Sequence, residues 1–204
     1  MTVKKASALG CGVLVCACVA LTAVRPNTTR TQTVDMYDLM IDVSVFPEDW
    51  DVCVGPSPPP DHIQSERGEL EFLYVGFCPE GFEGGIGGAE HDVFRYAPGL
   101  DVALAYYLDF SRREFSNRYM ITPYATPGEW SYESPVADRF KFACAELEPF
   151  RVTRRTRTCT ALAQYEEYIS VFGAHMSYMT LEDMERILVA IDERMALYLG
   201  EDTQ

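Results

Sequence analysis

The chain has 204 residues, 48% hydrophobic and 24% charged; that is one domain with room for a short anchor, and it excludes collagen-like, low-complexity and wholly disordered chains. Lys+Arg 17 against Asp+Glu 31 leaves a net charge of −14, the wrong sign for a protein that grips nucleic acid by neutralising phosphates. Seven cysteines are too few for a disulfide-packed miniprotein, yet enough to constrain the fold.

Lys4 and Lys5 precede an uncharged run of 19 residues, 6–24, which Arg25 and Pro26 end. At about 1.5 Å per residue the run approaches the roughly 30 Å hydrocarbon core of a bilayer, and the leading Lys pair keeps the N-terminus inside. Residues 1–24 therefore read as a signal-anchor or transmembrane helix. A cleaved signal peptide, with small residues at Cys18-Val19-Ala20, and a lipoprotein acylated at Cys18 are the alternatives. Residues 25–35 form a polar tether, and 36–204 an exported domain. Divided at Arg30, the charge is +4 on the stem and −18 on the body, so anionic headgroups repel the body.

Cys11, Cys16 and Cys18 fall in the apolar run, which leaves Cys53, Cys78, Cys144 and Cys159 outside it. An even number in an exported domain reads as two disulfides. Cys144 and Cys159 sit in strand-like runs separated by a polar, Arg-rich segment, which predicts a hairpin closed by a cross-strand bridge. Cys53 with Cys78 is then the second bridge, spanning a Pro-rich stretch. Their spacing matches no zinc site, no redox Cys-x-x-Cys pair and no haem attachment.

Within the exported part, 36–46 is apolar on both sides of Asp38 and Asp42 and predicts one short helix. A short strand over 50–54 leads into 55–60, whose prolines predict an extended loop. Alternation over 69–77 predicts a strand, and glycines between Gly81 and Gly88 turn the chain into another over 90–96. Leu100, Leu104, Tyr107 and Leu108 recur at helical spacing and predict a helix over 100–115, with Asp101 and Arg112-Arg113 suited to its dipole. Residues 117–135 are irregular, and three strands follow, the last over 167–172. Thr180 with Asp183 is a variant capping box; Met184, Ile187, Leu188, Ile191, Met195 and Tyr198 make one apolar face, and Gly200 ends the helix. The expected fold is α+β, an antiparallel sheet with the two main helices packed on one face.

No residue pattern points to catalysis, a metal or a cofactor. The glycine loop lacks the Lys-Ser/Thr of a phosphate loop and opens onto a strand. His62, His91 and His175 sit outside any Gly-x-Ser-x-Gly or His-Glu-x-x-His context, so a triad of Ser111 or Ser131 with His91 and Asp92 has no local support. Glu90 and Asp92 share a strand face, which in so acidic a chain reads as solvated. Two recognition surfaces stand out. Arg151, Arg154, Arg155 and Arg157 form a basic patch suited to an anionic ligand or a protein partner. Tyr119, Tyr124, Trp130 and Tyr132 form an aromatic one.

The strand at 93–96 feeding a helix with Ala103, Tyr106 and Tyr107, the Cys-bearing strand, the strand at 168–172 and the closing helix at 181–188 together resemble extracytoplasmic sensor-type domains of bacterial lipoproteins and membrane kinases. The resemblance covers about half the chain and rests on layout. It implies an exported α+β domain with two disulfides and no catalytic residues to carry over. The function expected is ligand or partner recognition outside the cytoplasm by a membrane-tethered domain. An exported hydrolase and a structural subunit of a membrane complex are the alternatives.

Overall fold

A computed structural model describes residues 34–58, 68–82, 88–116, 120–148 and 156–199. The stem at 1–24 lies outside them, and among the described residues no helix is long and apolar enough to cross a membrane.

Six strands, β1 (Trp50–Ser57), β2 (Glu71–Pro79), β3 (Ala89–Arg95), β4 (Arg139–Leu147), β5 (Thr156–Tyr165) and β6 (Tyr168–His175), form one antiparallel sheet. Its order, β1-β2-β3-β6-β5-β4, is two three-stranded meanders joined along β3 and β6. Each meander carries one staple between its first two strands. Cys53–Cys78 ties β1 to β2, and Cys144–Cys159 ties β4 to β5. Both pairings are those expected from the cysteine spacing. The second joins residues directly opposite in the ladder, with Cα atoms 4.0 Å apart.

Alternation along the strands gives the sheet two chemically different faces. On one, Leu73, Val75 and Phe77 of β2, Val93 of β3, Phe142 of β4, Ala161 and Ala163 of β5 and Phe172 of β6 form the main core. The helix α3 (Leu181–Leu199) lies there with Met184, Ile187, Leu188, Ile191 and Met195 buried. Each such side chain contributes roughly 1.5–3 kcal/mol by leaving water. Its start follows the predicted cap: the Thr180 hydroxyl accepts from the Asp183 N–H (3.1 Å), and Asp183 accepts from the Thr180 N–H (2.9 Å). The same layer is completed by 36–46, which forms two 3-10 turns, Met36–Leu39 and Val43–Val45, instead of one helix. Asp35 and Asp42 cap one turn each, and each cap interrupts the helical ladder.

The second helical segment packs on the opposite face. This corrects the expectation of both helices on one face. The helices α1 (Leu100–Leu104) and α2 (Ser111–Arg113) flank a π-helical stretch, Ala105–Phe110. Val102, Ala105, Tyr106 and Phe110 bury against Phe94, Leu162, Ile169 and Val171. Leu104, Tyr107 and Leu108, the predicted apolar face, are the exposed ones. Both stripes are apolar at spacings near four, and the sheet surface beneath selects one of them.

The irregular stretch before β4 is a strap around the sheet edge. Ala125 exchanges two backbone hydrogen bonds with Cys144 (both 3.0 Å), and Ile121 donates to the Glu146 carbonyl (2.8 Å), so part of the β4 edge is paired. At the other edge β1 continues through Gly55-Pro56 to Ser57, where an extended loop was expected; an edge strand tolerates the missing proline donor. Gly55 has φ +75°, and a Cβ there would lie 2.4 Å from the Tyr74 carbonyl oxygen.

Candidate functional site

Rows of cross-strand partners run across the face that carries α1 and α2. Under the helix the row Phe72, Phe94, Ile169 is apolar. Two rows on, the partners are Gly76, Glu90, Gly173, Thr160 and Ala143. Glycines thus flank Glu90 on both neighbouring strands. The sheet there has no side chain to fill the space, and Glu90 lies over Gly173, its Oε1 3.8 Å from where a Cβ would stand. The result is a cleft of about 290 Å³. Thr158, Thr160 and His175 form its sheet side, Glu114 and Ser116 its helix side, and Tyr124 of the strap its wall.

The cleft is polar and its charges are crowded. Glu90 opens into the cleft and is exposed. The surrounding walls still raise its carboxyl above the usual range, and the nearby Glu114 charge raises it further. Among the described residues the Glu90 side chain makes no hydrogen bond or ion pair. Burial also raises the Tyr124 phenol, with the Glu114 charge adding to it, although a hydrogen bond with Thr160 opposes the shift. His175 pairs through Nδ1 with the Thr158 hydroxyl at 3.3 Å, and burial lowers its pKa. Phe115 backs the Tyr124 ring edge-on at 5.4 Å and takes the Lys141 ammonium on its face at 3.9 Å.

A second polar cluster lies on the α3 face. Asp192, 4% exposed, accepts from Ser134 Oγ (2.8 Å), from the Tyr165 hydroxyl (2.5 Å) and from the Tyr132 hydroxyl. Burial, then the Asp192 carboxylate, push both phenols well up. Three hydroxyls satisfy one carboxylate and pin the strap and β5 to α3. This is a structural network.

Those expected recognition residues that fall within the described residues do not share one surface. Tyr124 lines the cleft, whereas Trp130 stacks on Phe142 at 3.8 Å and Tyr132 binds Asp192, so both are committed to the α3 face. Arg157 is exposed on the side of β5 opposite Thr158, with only a 3.9 Å approach to Glu129. Arg151, Arg154, Arg155 and Tyr119 lie outside the described residues. No protein-family model, curated protein or solved structure matches this chain.

Adjacent positions on β3 point to opposite faces, so His91 and Asp92 do not meet in a triad. His91 is fully buried on the α3 side; its Nδ1 accepts from the Ile41 N–H (3.5 Å) and its Nε2 faces Ser170 Oγ (3.0 Å). Burial, with the Arg194 charge second, pushes it down to about 3, so it is a neutral core imidazole. Among the described residues no three His, Cys, Asp or Glu side chains converge as metal donors. Neither the cleft nor the Asp192 network is a local feature of the sequence. Isolated glycines inside the strand patterns at 76 and 173 were the available signal for the first, and an Asp within the α3 apolar stripe for the second.

Proposed function

We propose that this chain is an extracytoplasmic recognition domain, tethered to the membrane by its 6–24 segment, that binds a small polar ligand in the cleft without altering it. The two disulfides support export, since such bridges persist in oxidising compartments. The observation that carries the binding reading is Glu90, set between glycines in a recess with its carboxylate unengaged among the described residues. A sensor-type role is what the layout resemblance implies. Pools of amino acids, sugars, nucleosides, dicarboxylates and polyamines screened against the isotope-labelled full chain in nonionic detergent test the reading. At least one pool is expected to shift the amides of Glu90, Thr160 and Gly173 and to be recovered unchanged. If every pool leaves those amides still, the cleft is not a binding site. Retention of the domain in the soluble fraction after carbonate extraction would refute the tether.

A hydrolase is the second reading, favoured by one observation: two carboxylates line the cleft, and a raised carboxyl such as Glu90 is what a general acid requires. A glycosidase and esterase panel decides it, through turnover in the wild type that Glu90→Gln abolishes.

A further inference from the structure

We infer that Cys53–Cys78 is a releasable clasp: a dithiol reductant opens it by exchange and frees strand β1 from the sheet, while Cys144–Cys159 stays closed. The two bridges lie in opposite surroundings. Cys144 and Cys159 are 6% and 0% exposed. Cys144 is also flanked on both sides, by Cys159 across the ladder and by the backbone of Ala125 in the strap. Cys53, by contrast, is exposed and Cys78 only half-buried. Their strand β1 is the outermost of the sheet and pairs with β2 alone.

Little besides the bridge anchors β1. Trp50, at its start, is its buried residue and packs on Phe46 at 5.2 Å; Asp51, Val52, Gly55 and Pro56 are exposed. Its register with β2 shifts between Val52 and Val54, and again between Val54 and Ser57, so Cys53 falls at an irregularity in the ladder. Exposed bridges are the exchangeable ones, and an edge with one apolar anchor opens before the core does. In the exchange a thiolate of the dithiol bonds to Sγ of Cys53 as the S–S bond breaks, and Cys78 leaves as a thiolate that takes up a proton. The second thiol gives up its proton and displaces Cys53, which is protonated in turn. Two electrons and two protons reach the cysteines, and the dithiol ends as its own disulfide. Without the covalent tie residues 52–57 part from β2, which becomes the edge of a five-stranded sheet.

The test uses the oxidised full chain in nonionic detergent, with any free thiols of Cys11, Cys16 and Cys18 blocked beforehand. Dithiothreitol is added at neutral pH, and newly alkylated cysteines are mapped by mass spectrometry. Cys53 and Cys78 are expected to label at least about tenfold faster than Cys144 and Cys159, which wait for the sheet to open. Equal rates, or Cys144–Cys159 opening first, would overturn the inference. Hydrogen exchange on the selectively reduced chain then follows the strand. The β1 amides bonded to β2 are expected to lose protection, and those joining β4 to β5 to keep it. The double variant Cys53→Ala with Cys78→Ala should show the same pattern without an alkyl group. Protection kept along β1 in the reduced chain would make the bridge redundant, and protection lost across the whole sheet in the variant would make it a global staple; either result overturns the clasp.

Discussion

His91 makes this domain acid-labile in a way that is open to direct measurement. The imidazole is fully buried between the Ile41 N–H and Ser170 Oγ, with the Phe172 ring 6.5 Å away and the Arg194 charge nearby. In the folded state it resists protonation down to about 3, whereas an unfolded histidine takes its proton near 6.5. The unfolded state therefore binds the extra proton, and stability is full above 6.5 and falls as the pH drops toward 3. The slope is about 1.4 kcal/mol per pH unit, so at pH 5 this one group costs about 2 kcal/mol. For a domain of this size that lowers the midpoint by roughly 4–8 °C. Urea unfolding followed by near-ultraviolet circular dichroism between pH 7 and pH 5, with disulfides intact, reads it. His91→Gln keeps an acceptor and a donor but no titrating ring. It is expected to be less stable at neutral pH, yet to lose one proton's worth of the acid slope. His175, also lowered, keeps its own share in both proteins. If the variant's slope equals that of the wild type, His91 is not the buried neutral base described above.

Asp192→Ala strands the hydroxyls of Tyr132, Ser134 and Tyr165 in the interior, and is expected to destabilise the fold by about 2–4 kcal/mol. Ser134→Ala should cost only about 1 kcal/mol, and equal losses in denaturant titrations would contradict a shared carboxylate hub. Replacing both cysteines of either bridge by alanine is expected to cost about 3 kcal/mol for separations of 15 and 25 residues. Mass spectrometry of exported protein without reduction should find all four sulfurs paired, and free thiols at Cys144 and Cys159 would refute the bridging.

Much of the architecture is legible where one local rule decides. Cys144 and Cys159 flank a polar turn, which sets a hairpin, and Thr180 with Asp183 sets the start of α3. Legibility fails where the sheet arbitrates between local options. Residues 100, 104 and 108 and residues 102, 106 and 110 are competing stripes of one segment, and Phe94 and Ile169 beneath it settle which is buried. The strap is illegible for a related reason: its pairing with Cys144 and Glu146 depends on an edge that exists only once β4 has joined the sheet. Most of all, the cleft is lined from β3, β4, β5 and β6 together with the α2 end and the strap, so no window of sequence contains it. Gly76 and Gly173 acquire meaning only as neighbours of Glu90.

The division of the sheet into two stapled meanders also governs how the chain reaches this state. Each meander closes through short-range hairpins, while the β3–β6 ladder joins segments far apart in sequence and closes later, since loop entropy delays distant pairing. Until it does, both halves present a bare inner strand with backbone donors and acceptors open to water. Two chains synthesised side by side would satisfy them equally well by trading halves across the connection between β3 and β4. Spacing between nascent copies, more than the strength of either bridge, then sets the yield of monomer.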